Sequence, residues 1–216
     1  MCTREVGTDG ARRCLLCGAG ATPSGLCSGC LADLPRAAGG AVRPGRGRLA
    51  RIIAPFDYAY PLDRLILSFK FHRDLATGHT LSQMLLGEVG NYLHGTTDDL
   101  FVVVPVPLGR WRYLARGFNQ AAVLASALAT ATRLPLDAGC VRRLRGTAHQ
   151  SRLGGSARRR NLRGAFEARG RLDGMHVLLV DDVMTTGATA QELARTLRGA
   201  GACSVTLVAL AVSGAP

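Results

Sequence analysis

The sequence predicts an α/β protein built on a parallel sheet, and three observations carry that expectation. Apolar runs without polar alternation, at 101–104, 177–180 and 205–212, suit strands buried on both faces. Segments with helical patterning separate them, as crossovers between parallel strands require. Near the amino terminus two Cys-x2-Cys pairs, Cys14/Cys17 and Cys27/Cys30, add a compact knuckle of the metal-binding type.

The elements follow in order. Residues 1–35 hold the knuckle, and residues 36–48, rich in Gly, Pro and Arg and without hydrophobic periodicity, read as a linker. In 49–100, residues 52–60 read as one or two strands broken at Pro55. Leu62, Leu65, Ile66 and Phe69 then fall at helical spacing up to Lys70, and Leu81, Leu85, Val89 and Leu93 mark a second helix. This stretch reads as a small subdomain. From 101 to 216 strands and helices alternate: a strand stopped by Pro105 and Pro107, a helix over 119–133, and a basic strand over 141–144. An Arg-rich loop over 146–162 follows, then a strand over 176–180, a helix over 189–198 stopped by Gly199 and Gly201, and a last strand over 204–212.

The 216 residues allow one domain with an appendage or two small ones, and 47% hydrophobic content against 19% charged supplies a core. No apolar run approaches the roughly 18 residues of a membrane helix. No apolar stretch follows the N-terminal arginines as a secretory leader requires, so a soluble, cytoplasmic protein without a transmembrane segment is expected. The formal charge is +12, which favours polyanionic partners. Lys70 is the sole lysine among 27 basic side chains, and no glycine precedes it, so a Walker A nucleotide hydrolase is excluded.

Two close Cys-x2-Cys pairs suit tetrahedral thiolate coordination of a structural Zn²⁺, with four ligands and no open position for catalysis. Loss of the metal is expected to unfold residues near 14–30 and spare the core. Cys140 and Cys203 read as small buried residues. His72, His79, His94, His149 and His176 show no metal-ligand spacing, and no nucleophile–base arrangement stands out.

The most informative segment runs from Val177 to Thr189. Four apolar residues bring a strand to its carboxyl end, Asp181 and Asp182 emerge there, and Thr185, Thr186 and Gly187 turn into a helix. Ligands of open α/β sheets sit at that edge. A helix N-terminus with Gly187 and the hydroxyls of Thr185, Thr186 and Thr189 suits a phosphate, whereas paired acids suit the hydroxyls of a ribose or the water shell of Mg²⁺. Together they describe a phosphorylated ribose.

This segment resembles the phosphoribosyl pyrophosphate (PRPP) signature of type I phosphoribosyltransferases. With Pro105-Val-Pro107, Arg116-Gly-Phe-Asn-Gln120, the series Thr147, Gln150, Leu153, Arg158 and Asn161, and the double Cys-x2-Cys knuckle, the chain resembles the ComF/GntX family, from Cys14 to Val212. These amidophosphoribosyltransferase-like proteins are linked to the uptake of transforming DNA. The resemblance implies a type I phosphoribosyltransferase-like core, a hood built from the 49–100 region and an N-terminal zinc knuckle. It also implies that PRPP, with Mg²⁺, meets Asp181, Asp182, Val183, Met184, Thr185, Thr186, Gly187, Ala188 and Thr189. Asp181 and Asp182 serve the reaction, and the loop with Arg110, Arg112 and Arg116 lies near the pyrophosphate. As the one lysine in an arginine-biased chain, Lys70 joins the ligand candidates.

Three functions follow: a Mg²⁺-dependent phosphoribosyltransferase with an unidentified acceptor, a non-catalytic single-stranded-DNA-binding protein on the same fold, or an adaptor whose knuckle docks a DNA-translocation helicase. Between 142 and 163 eight arginines occur with no acid among them, more than one phosphorylated sugar can occupy. Arg142, Arg143, Gln150, Arg158, Arg159 and Arg160 are therefore candidate loop and DNA contacts.

Overall fold

The computed structural model describes residues 13–72, 74–93, 100–144 and 162–214. The knuckle turns on itself through Cys14 N–H donating to the Ala19 carbonyl and Gly18 N–H to the Cys14 carbonyl. It then enters helix α1 (Ser28–Ala32), whose N-cap is Cys27. Strands β1 (Val42–Pro44), β2 (Arg51–Ile53) and β3 (Phe56–Asp57) follow, then helices α2 (Leu62–His72) and α3 (Leu75–Leu93). Next come β4 (Phe101–Pro105), α4 (Arg110–Arg116), α5 (Gln120–Thr132), β5 (Val141–Arg143) and β6 (Phe166–Ala168). The chain closes with β7 (His176–Met184), α6 (Ala188–Gly199) and β8 (Ser204–Val212).

The main sheet runs β1-β2-β8-β7-β4, and β3 continues beside β8 beyond β2. All its pairs are parallel except β1–β2, while β5 and β6 form a separate antiparallel ribbon. The continuous apolar runs have a physical reason: both faces of the sheet are covered. Val103, Leu178, Val180 and Val208 face α2, α3 and α5, whereas Val102, Val104, Leu179 and Leu207 face α6 and the ribbon.

Three regions differ from the sequence reading. The segment 36–48 contains β1, which adds an edge to the main sheet. Within 49–100, β2 and β3 belong to the central sheet, since each pairs with β8, so only α2 and α3 stand outside it. The knuckle is no separate appendage: Cys14, Leu26, Cys27 and Leu34 share one buried apolar cluster with Leu81 and Leu85 of α3 and Phe56 of β3. Apolar residues between and after the ligands decide this, because they must be buried somewhere and α3 offers the surface.

Candidate functional site

The register of β7 creates the cleft. β4 pairs with β7 only as far as Pro105 opposite Val180, whereas β7 stays paired to β8 through Met184 opposite Val212. Sequence reading ends the strand at Val180, but the ladder to β8 carries it four residues further, so both acids lie within β7 and not after it. Beyond β4 one side of β7 has no strand neighbour, and Asp181 and Asp182 line the opening.

That opening is a cleft of about 400 Å³ at the carboxyl edge of the parallel strands. It gathers Lys70, Arg116 and all nine residues 181–189. Tyr58 and Ser213, which the sequence reading passed over, line it as well, with Val106 of the Pro105-Val-Pro107 motif. The signal for Tyr58 and Ser213 was topological: each follows directly on one of the parallel strands β3 and β8, where α/β ligand sites form.

Lys70 owes its position to packing remote from the cleft. Phe69 is fully buried and meets the Phe118 ring with centroids 5.4 Å apart. It sits so close to Gly78 of α3 that an added Cβ there would come within 2.6 Å of the ring. This seating fixes the rotation of α2 and turns Lys70 inward, where its Nζ lies 2.9 Å from Asp182 Oδ2, both side chains about 15% exposed.

The acids are held by their own backbone. Asp181 Oδ1 accepts the Asp182 N–H at 2.9 Å, and Asp182 Oδ1 accepts the Val183 N–H at 2.7 Å. Loss of hydration, then the neighbouring Asp182 carboxylate, push the Asp181 carboxyl up to about 7 against the opposing pull of Lys70 and Arg112.

Four cations face these two acids across the cleft: Lys70, Arg112, Arg116 and Arg143. The excess of positive charge suits an anion larger than a single carboxylate. Arg116 stands at the end of α4, closed by Gly117 at φ 78°. It donates to Gln120 Oε1 at 3.0 Å and lies 5.6 Å over the Phe71 ring. Burial lowers the Arg116 and Arg143 guanidinium values, which still leaves an arginine charged. On the opposite wall α6 begins at Gly187, φ 69°, with no side-chain cap hydrogen bond. Its first-turn N–H groups and the exposed Thr185 and Thr186 thus stand at the cleft.

The stretch after Pro107, read as a loop from sequence, is the helix α4. Arg143, assigned there to DNA, lines the cleft, its guanidinium 5.4 Å over Phe166. Arg142 points elsewhere and pairs with Glu167 of β6 at 2.6 Å, because neighbours on a strand take opposite faces. Gln150, Arg158, Arg159 and Arg160 lie outside the described residues. Cys140 is buried, its thiol pushed up to about 12 by burial and then Asp137, but Cys203 is exposed, contrary to expectation, because it sits in the turn before β8.

The thiol sulfurs of Cys14, Cys17, Cys27 and Cys30 all lie within 4.8 Å of one another, with Cys17 Sγ and Cys27 Sγ 3.6 Å apart. A tetrahedron with metal–sulfur bonds of about 2.3 Å needs sulfurs about 3.8 Å apart, so the set fits Zn²⁺. Among the described residues no helix is long and apolar enough to cross a membrane.

Comparison with known proteins agrees with this architecture. Residues 114–215 match the family described as "Phosphoribosyl transferase domain". The DNA utilization protein YhgH of Escherichia coli (strain K12) is 38% identical over 210 residues, covering 95% of this chain and 86% of that protein. Competence protein F of Haemophilus influenzae is 35% identical over 150 residues, 67% of this chain and 65% of its own length. Competence protein ComFC of Bacillus subtilis is 34% identical over 116 residues, 51% and 45% of the two chains. With a parallel sheet carrying an acid pair and a threonine–glycine turn at its carboxyl edge, and a four-cysteine cluster ahead of it, this chain belongs to the ComF/GntX family of type I phosphoribosyltransferase-like proteins.

Proposed function

We propose that the cleft binds PRPP and that the protein acts in the handling of DNA taken up by the cell. One observation carries the PRPP reading. The acid pair and the uncapped start of α6 are joined by only four residues, 183–186, and line one cleft with Lys70, Arg112 and Arg116. The α6 amides and the Thr185 and Thr186 hydroxyls then hold the 5′-phosphate, and Asp181 and Asp182 accept from the ribose hydroxyls. Arg112, Arg116 and Arg143 hold the diphosphate, whose paired oxygens suit guanidinium forks.

Carboxylate and hydroxyl oxygens at the same edge suit a hard cation, and Mg²⁺ bound with PRPP would neutralise charge on the departing pyrophosphate. The chain's own contribution to transfer is positioning and electrostatic stabilisation of the ribose as positive charge develops at C1. Lys70, 2.9 Å from Asp182, holds that carboxylate in position. At the knuckle, Cys14, Cys17, Cys27 and Cys30 hold a structural Zn²⁺. The names of the relatives, a DNA utilization protein and two competence proteins, support the DNA half of the reading.

Calorimetry with PRPP and Mg²⁺ tests the cleft. Asp181→Asn combined with Asp182→Asn removes two charge-assisted acceptors, each contributing about 1.5–3 kcal/mol, so affinity should fall by at least about 100-fold. Equal affinity in the double variant rejects the assignment. Release of pyrophosphate over a panel of amines and bases then separates turnover from binding alone.

A further inference from the structure

Helix α4 is seven residues long and buries none of them. It nevertheless carries Trp111, 79% exposed, Leu114, 60% exposed, and Tyr113, 50% exposed. Short helices are marginal in water and draw their stability from an apolar face packed on something. On this helix that face is open to solvent.

The arrangement of side chains on α4 is specific. Trp111 and Leu114, three residues apart, share one face. Arg110, four residues before Leu114, borders that strip on one side. Arg112 stands on its other side beyond Ala115, while Arg116 turns to the far face of the helix, and both line the cleft. No acidic residue occurs in α4. Phe71, 64% exposed, lies beneath the Arg116 guanidinium.

We propose that α4 is a stacking platform for single-stranded nucleic acid on the rim of the cleft. An indole flanked by guanidinium groups matches a flat base flanked by backbone phosphates, and stacking tolerates any sequence because every base has a π-face. A duplex hides its base faces within the stack, so unpaired strands are the fitting partner. Charge complementarity argues the same way, since the strip is bordered by cations and α4 offers no acid to repel a phosphate. This proposal rests on the DNA-handling half of the function above and not on the PRPP half. It also moves the nucleic-acid contact from the arginines after residue 141 to a helix ahead of the sheet crossover.

Trp111 is the only tryptophan in the chain, so its emission reports directly on this face. The full chain is titrated with unlabelled oligo(dT) of about 20 nucleotides, longer than a typical single-strand site. Saturable quenching is expected, weaker with a duplex of the same length. By anisotropy of a labelled oligo(dT), Trp111→Ala should lose about 10-fold or more in affinity, Trp111→Phe should regain most of it, and the unfolding midpoint should stay put. Arg110→Ser should make the salt slope shallower by about 0.7, one phosphate contact. Wild-type affinity in Trp111→Ala overturns the platform while leaving DNA handling standing, whereas no oligo(dT) binding by the wild-type chain overturns both. A blue shift on phosphatidylserine vesicles with no quenching by oligo(dT) assigns the face to a membrane surface and also overturns the proposal.

Discussion

Four thiols at the knuckle and two carboxylates at the sheet edge are both clusters of like groups, yet the chain surrounds them in opposite ways. Beside Cys14 and Cys27 it places Leu26, Leu34, Leu81 and Leu85, and it draws the four sulfurs within 4.8 Å of one another. Around the carboxylates it places Lys70, Arg112 and Arg116 and leaves an opening. A closed set of soft ligands suits a metal that stays, whereas acids balanced by cations around an open cleft suit a ligand that comes and goes. The difference shows that like residues gathered together say little until their surroundings are known.

The comparison breaks first at the metal. Because the knuckle shares its apolar cluster with α3, chelation should lower the unfolding midpoint of the whole domain by roughly 10 °C or more, since each kcal/mol shifts a domain of this size by about 2–4 °C. Calorimetry with and without chelator reads this. A main transition that stays put would restore the knuckle to the status of an independent unit, as the sequence alone suggested.

The cleft side is sharpened by a residue that never touches ligand. Gly78→Ala drives a methyl into the Phe69 ring, an overpacking that costs about 1–3 kcal/mol. If α2 thereby shifts Lys70 away from Asp182, PRPP affinity falls along with stability. Denaturant unfolding and calorimetry on one preparation show whether the two losses travel together.

Arg142 and Arg143 divide the two faces of one strand. Arg143→Ser should weaken PRPP binding by about 10-fold, because a guanidinium facing the cleft is lost. Parallel titrations should find Arg142→Ser indistinguishable from wild type in PRPP affinity, with at most about 1 kcal/mol of stability lost from an exposed ion pair.

The pH dependence has a definite sign. Asp181 titrates near 3.8 unfolded and near 7 in the fold, so the folded protein holds the extra proton and loses stability as pH rises from about 4 to about 7. Ligand contact requires the ionised form, so PRPP affinity should rise up to tenfold per unit below pH 7 and level off above it. Asp181→Asn should flatten the stability profile across the same window, and an unchanged profile assigns the slope to other groups.

Much of the fold was legible because burial on both sides of a sheet leaves a mark in sequence. Val102 and Val103 look alike in the chain because each is buried, one on each face. The helix over 119–133 was equally plain, since Asn119 caps it through its side chain and Pro135 follows it. The segment 181–189 was legible as a unit because one short stretch holds the acids, the turn and the helix start. Tyr58 and Ser213 were not, since nothing in their own neighbourhoods marks them and only the pairing of β3 and β8 brings them to the cleft.

What the sequence determined by itself was therefore local: where the long apolar strands and most of the helices lie, where four thiols stand in pairs, and where acids precede a glycine turn. Periodicity, capping and ligand spacing act over a few residues, so adjacent letters encode them. Tertiary structure alone decided that β2 and β3 join the central sheet and that the knuckle merges with its core. It also decided that Lys70 meets Asp182 across 112 positions of chain and that Arg142 and Arg143 part company. Those outcomes depend on strand register and on which apolar faces meet, quantities set by the packing of the whole chain and carried by no single stretch of it.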